Sequence, residues 1–214
     1  MAEQDLVEAI PRGGCPACRL LRRAETQYWF FFLYEGFQDP EAGAALRRSI
    51  GYCRRHLGQL ADHNDVFAAA NLALASVGGA LERLDASRGR WGKRRVSQPA
   101  GAGCPACTHT EATEHAALES LGPLLEKEPT IHDLYRSSAG LCFDHVAKAQ
   151  RIGVEGLSLL EAHARRRLEE QATDLACLIR SFDYQTESAD AQLAGAWKRA
   201  FRAIRDDPGR VGGP

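Results

Sequence analysis

Apolar residues recur at helical spacing along most of the chain, and few stretches alternate in the manner of a strand. The pattern predicts a helix from residue 16 to about 36, a second from 40 to about 50, and a third opening at Cys53. The same series recurs from 105 to about 122, from 129 to about 139, and from Cys142. Pro16, Pro40, Pro105 and Pro129 suit the first helical position, and Gly51 and Gly140 suit the stops. Longer periodic stretches at 66–84 and 157–182, with an amphipathic segment near 189–204, complete an all-α reading. Residues 28–34, YWFFFLY, are apolar around the whole helical circumference. Part of that surface must be covered by the rest of the fold, by a protein partner or by a second copy of the chain.

The helices come in two series because the chain repeats itself. A shift of 89 residues, without a gap, superposes Cys15 on Cys104, Cys18 on Cys107, Cys53 on Cys142 and His56 on His145. It also matches Pro16, Ala17, Pro40, Arg47, Ser49 and Gly51 with identical residues. Internal duplication is the simplest account. It predicts two tandem helical hairpins, residues 1–87 and 104–214, joined by a basic linker at 88–103. Arg88, Arg90, Trp91, Lys93, Arg94 and Arg95 then lie in a solvated connection.

What the copies share most consistently is ligand chemistry. Spacings C-x2-C and C-x2-H make a Cys3His set of the kind that closes around structural zinc. Within each hairpin the two half-motifs are expected to meet at the base. That gives one site from Cys15, Cys18, Cys53 and His56, and another from Cys104, Cys107, Cys142 and His145. Two zinc ions per chain follow, each without an open position for substrate. Alternatives are iron–sulfur clusters or a redox thiol sensor on the same cysteines, and small buried cysteines at helix starts. A redox C-x-x-C would need a βαβ setting, for which no strands are predicted.

Composition narrows the partners. Residues 1–103 hold 14 Lys/Arg against 11 Asp/Glu, and residues 104–214 hold 13 against 17, so neither half has the strongly basic balance of a nucleic-acid binder. The start of the chain lacks a signal-like apolar run, and no stretch approaches the roughly 20 apolar residues of a membrane span, so a cytoplasmic protein is expected. No phosphate-cradling loop, nucleophile elbow or H-E-x-x-H occurs, which weighs against an enzyme, though a pocket between the repeats would be an alternative. His63, His109, His115, His132 and His163 have no repeat partner and read as surface residues. Cys177, amid Leu175, Ala176, Leu178 and Ile179, reads as core, and Arg165–Arg167 with Glu169 and Glu170 as an exposed, ion-paired face.

The doubled CPAC…GxCxxH pattern, with DPE at 39–41, RSSAGLCFDH at 136–145, FDYQTE at 182–187 and AWKRAFRAI at 196–204, resembles the bacterial domain-of-unknown-function family numbered 6062, over about residues 10 to 206. The resemblance implies a duplicated helical protein with two such quartets at the eight positions named, and implies no activity. Gln185 stands where that family commonly carries a basic residue. The expectation that emerges is a zinc-stabilised scaffold, adaptor or regulator.

Overall fold

The computed structural model describes residues 2–49, 51–63, 65–88, 103–182 and 191–205, and every regular element among them is helical. In chain order these are α1 (Ala2–Ala9), α2 (Pro16–Tyr34), α3 (Pro40–Ser49), α4 (Arg54–Asp62), α5 (Val66–Arg88), α6 (Pro105–Lys127), α7 (Pro129–Ser137), α8 (Phe143–Ile152), α9 (Leu157–Arg180), α10 (Ala191–Ala194) and α11 (Ala196–Ile204). Short 3-10 turns at Ile10–Arg12 and Gly36–Gln38 precede α2 and α3. The basic cluster beyond Arg88 and the stretch 183–187 lie outside the described residues.

Four helices start in the same way. A cysteine stands immediately before the first turn of α2, α4, α6 and α8, and its carbonyl accepts the first helical hydrogen bond, from Arg19, Leu57, Thr108 and Val146 respectively. Proline follows in α2 and α6, where its missing N–H costs nothing. Before α4 and α8 the chain turns through Gly51 and Gly140, with φ of 84° and 65°. A side chain there would be strained, and its Cβ would lie 2.6 Å from Ser76 Oγ or 2.5 Å from the His163 ring.

The chain forms two compact units that do not follow the sequence repeat. One comprises Met1–Arg22 with Thr113–Pro214, the other Arg23–Ala112. The boundaries fall inside α2 and α6, so each unit draws on both repeats; the expected linker, residues 88–103, lies almost wholly outside the described residues. In the first unit, Leu6, Ile10, Leu118, Leu121, Tyr135 and Leu160 are fully buried, and α9 packs against α8 and α11. In the second, Trp29, Leu33, Leu46, Tyr52, Leu60 and Leu72 form the core, and α5 packs on α3.

Some local expectations change. Helix α6 does not stop at Gly122 but runs through Pro123 to Lys127. Gly122 instead permits a close approach, since a Cβ there would lie 1.9 Å from the Glu155 carbonyl oxygen. The segment 28–34 divides: Trp29 and Leu33 are buried, whereas Phe30, Phe31 and Tyr34 are more than 60% exposed. His163 is buried against Tyr135, contrary to a surface placement. Cys177 is half-buried beside the Arg180 guanidinium, so it is not a core residue. The ion-paired face is present, with Arg165–Glu169 at 3.7 Å and Arg167–Glu170 at 2.5 Å.

Candidate metal centres

All eight predicted ligands gather into two quartets, but the pairing is crossed. Cys15 and Cys18 meet Cys142 and His145; Cys53 and His56 meet Cys104 and Cys107. The within-hairpin sets, Cys15/Cys18/Cys53/His56 and Cys104/Cys107/Cys142/His145, do not form. Helix length explains the correction. With 19 residues, α2 extends about 28 Å, and the 10-residue α3 returns only about 15 Å. The returning chain is thus delivered partway along α2, level with Glu25, and not at Cys15. Contact between Glu25 and His56 marks the spot. Each C-x-x-H then takes its remaining ligands from the other repeat.

In every half-motif one ligand precedes the first helical residue and the other is the third residue of the helix, which puts both over the same turn. Each quartet is therefore two helix N-termini facing one another, α2 with α8 and α6 with α4. Their free N–H groups and positive dipole ends stabilise thiolates.

The spacing of the donor atoms fits a single ion. Zn–S of about 2.3 Å and Zn–N of about 2.05 Å imply tetrahedral edges of about 3.8 Å between sulfurs and about 3.6 Å between sulfur and nitrogen. Cys18 and Cys142 stand 3.8 Å apart, and Cys53 and Cys107 3.7 Å, far beyond the roughly 2.05 Å of a disulfide. His145 Nδ1 lies 3.5, 3.4 and 3.1 Å from the sulfurs of Cys15, Cys18 and Cys142. His56 Nδ1 lies 3.3, 3.3 and 3.4 Å from those of Cys53, Cys104 and Cys107. All four donors in each set fall within 4.8 Å of one another. The first quartet is buried; in the second, His56 is buried while its three cysteines are half-buried.

Beyond the ligands the two sites again match. His145 Nε2 faces Glu114 at 3.2 Å, and His56 Nε2 faces Glu25 at 3.5 Å. A carboxylate there accepts from Nε2–H and leaves the Nδ1 lone pair for the metal. Glu114 is held by Lys148, and Glu25 by Arg55 and by Gln59, whose other end accepts from Trp29 Nε1–H at 2.9 Å. Glu25 and Glu114, and likewise Gln59 and Lys148, are related by the same 89-residue shift. The signal for this carboxylate shell was present in the repeat, but a search restricted to Cys and His overlooks it. His109, despite its closeness to Cys107, stays outside the quartet and packs at a tilt against Tyr28, ring centroids 5.4 Å apart.

The thiols and imidazoles are electrostatically poised for a cation. Burial opposes charge on His145, but hydrogen bonds with Cys142, Cys15 and Glu114 outweigh it and raise the pKa to about 12. His56 is raised to about 10 in the same way, with burial opposed by Cys104 and Glu25. Cys104 falls to about 6, because hydrogen bonds from His56 and the backbone overcome burial. Burial and the charge on Cys104 push Cys107 up to about 12. Contacts among the sulfurs lower Cys142 and raise Cys18. Each cluster favours a thiolate–imidazolium arrangement, and a divalent ion would take the place of its protons.

Residues 5–208 match the model of a family of unknown function, DUF6062, and the chain belongs to that family. No curated protein and no solved structure matches it.

Proposed function

We propose that this chain, as a member of a family whose function is unknown, holds two zinc ions in closed structural centres, and that its work is binding: a scaffold, adaptor or regulatory interaction protein of the cytoplasm. The observation that carries the metal reading is the pair of Cys3His quartets with single-ion tetrahedral edges. Iron–sulfur clusters fit less well, because a cluster distributes its ligands over several irons and would hold the sulfurs farther apart. Four protein donors leave no coordination position for substrate, which favours structure over catalysis. Since each quartet joins the C-x-x-C of one repeat to the C-x-x-H of the other, the ions would act as cross-links between segments distant in sequence. Binding of such ions contributes about 10–16 kcal/mol in comparable sites, enough to decide whether the fold forms.

The binding role draws on the exposed Phe30 and Phe31 of α2, which border an open groove of about 950 Å³ that Tyr28, Phe32 and His109 also line. Elemental analysis of the purified protein should find two zinc ions per chain and no visible absorption; iron with a band near about 400 nm would overturn zinc in favour of a cluster. A photoreactive side chain at position 31 should cross-link one defined protein in cells, and its failure to do so would overturn the adaptor reading.

A further inference from the structure

Helix α5 carries two apolar faces. Ala68, Leu72 and Gly79 are buried in the second unit, with the Arg47 backbone tight against Gly79. The opposite face carries Phe67, Ala70, Leu74, Val77, Leu81 and Leu84, all exposed, the five larger ones at 50–72%. Their spacing of 3, 4, 3, 4 and 3 residues is that of a coiled-coil seam, which a second helix fills by knobs-into-holes packing. The positions beside the seam include Ala73, Gly78 and Ala80, which are small and uncharged and allow close approach.

We propose that this seam pairs antiparallel with α5 of a second copy of the chain, about a twofold axis between residues 75 and 76. The seam is its own complement when reversed. Phe67 then meets Leu84, Ala70 meets Leu81, and Leu74 meets Val77, so the smallest residue of the row is set against a large one. Parallel pairing would oppose Ala70 to Ala70 and Phe67 to Phe67, leaving a void at one layer and crowding another. Asp85, the charge closest to the row, falls opposite Val66 and meets no second acid. At these exposures the six side chains and Val66 offer on the order of 600 Å², the lower end of what each partner contributes to a stable interface. A twofold contact of this kind closes on itself and stops at the dimer.

Light scattering on the full-length, metal-loaded chain should give twice its 23.4 kDa mass. Ala70→Glu and Leu81→Lys should each halve that mass with helicity retained, since both positions are solvent-exposed in one copy. The double variant A70E/L81K should restore the dimer, because position 70 of one copy faces 81 of the other. A monomeric unsubstituted protein, or a dimer that survives either single change, would overturn the proposal, as would a double variant that stays monomeric. Amide exchange over residues 67–84 of the unsubstituted protein provides the same answer without substitution. It should slow as concentration rises, and concentration-independent exchange would contradict the pairing.

Discussion

Cys18 and Cys142 place their sulfurs 3.8 Å apart across 124 positions of chain. That distance matches the edge expected of a tetrahedron around a single zinc ion and is far longer than a disulfide bond. It also joins the first repeat to the second, which makes the duplicated chain an interlocked fold and not two hairpins in series.

The carboxylates behind the histidines should matter to metal affinity. Glu114→Gln keeps the size of the side chain and removes the charge that faces His145 Nε2 at 3.2 Å. Loss of such a partner typically costs about 10–100-fold in affinity. Competition with a coloured chelator should show one of the two ions weakened to that extent and the other unchanged. Glu25→Gln should weaken the other ion instead. Equal affinity in variant and parent would remove Glu114 from the account.

Unequal burial predicts an order of loss. Cys53, Cys104 and Cys107 are half-buried, whereas Cys15, Cys18 and Cys142 are buried. Under a chelator, mass spectrometry after alkylation should find label on the first three before the second three. Simultaneous labelling would mean that the centres are lost together on unfolding.

How legible was this in the sequence? The eight Cys and His positions that gather into quartets, the helix starts at Pro16 and Pro105, and the all-helical class followed from spacing, because a helix start and a C-x-x-C or C-x-x-H turn are local properties of a few residues. The partner of each half-motif did not follow. Spacing shows that Cys53 and His56 act together, but their remaining ligands depend on how far α3 carries the chain back along α2, and matched repeats invite the assumption that each closes on itself. Glu25 was legible yet unread, since its role appears only once His56 has a neighbour. The exposed row on α5 was likewise visible as periodicity; that its apolar circumference exceeds what the fold covers required the structure.

A pH effect is expected away from the Cys/His quartets. His163 is buried against Tyr135, its Nε2 3.3 Å from the Arg136 carbonyl oxygen, and its Nδ1 has no partner. Burial, with Arg166 and Arg167 nearby, outweighs the hydrogen bond to the Arg136 carbonyl and the charge of Glu170 and lowers its pKa below the usual 6.5. The folded chain then refuses a proton that the unfolded chain accepts, so the contribution is fully present above about pH 6.5 and declines as pH falls below it. Urea midpoints of the parent should fall more steeply between about pH 7 and 5 than those of His163→Gln. Parallel curves would assign the residue no such role.

The crossed pairing is tested most directly by counting metal in two double variants after dialysis against a chelator. C18S/C142S removes two ligands from one centre and should keep one ion per chain. C18S/C53S removes one ligand from each and should keep none. One ion retained by C18S/C53S and none by C18S/C142S would show that each repeat closes on itself, and would contradict the fold described above.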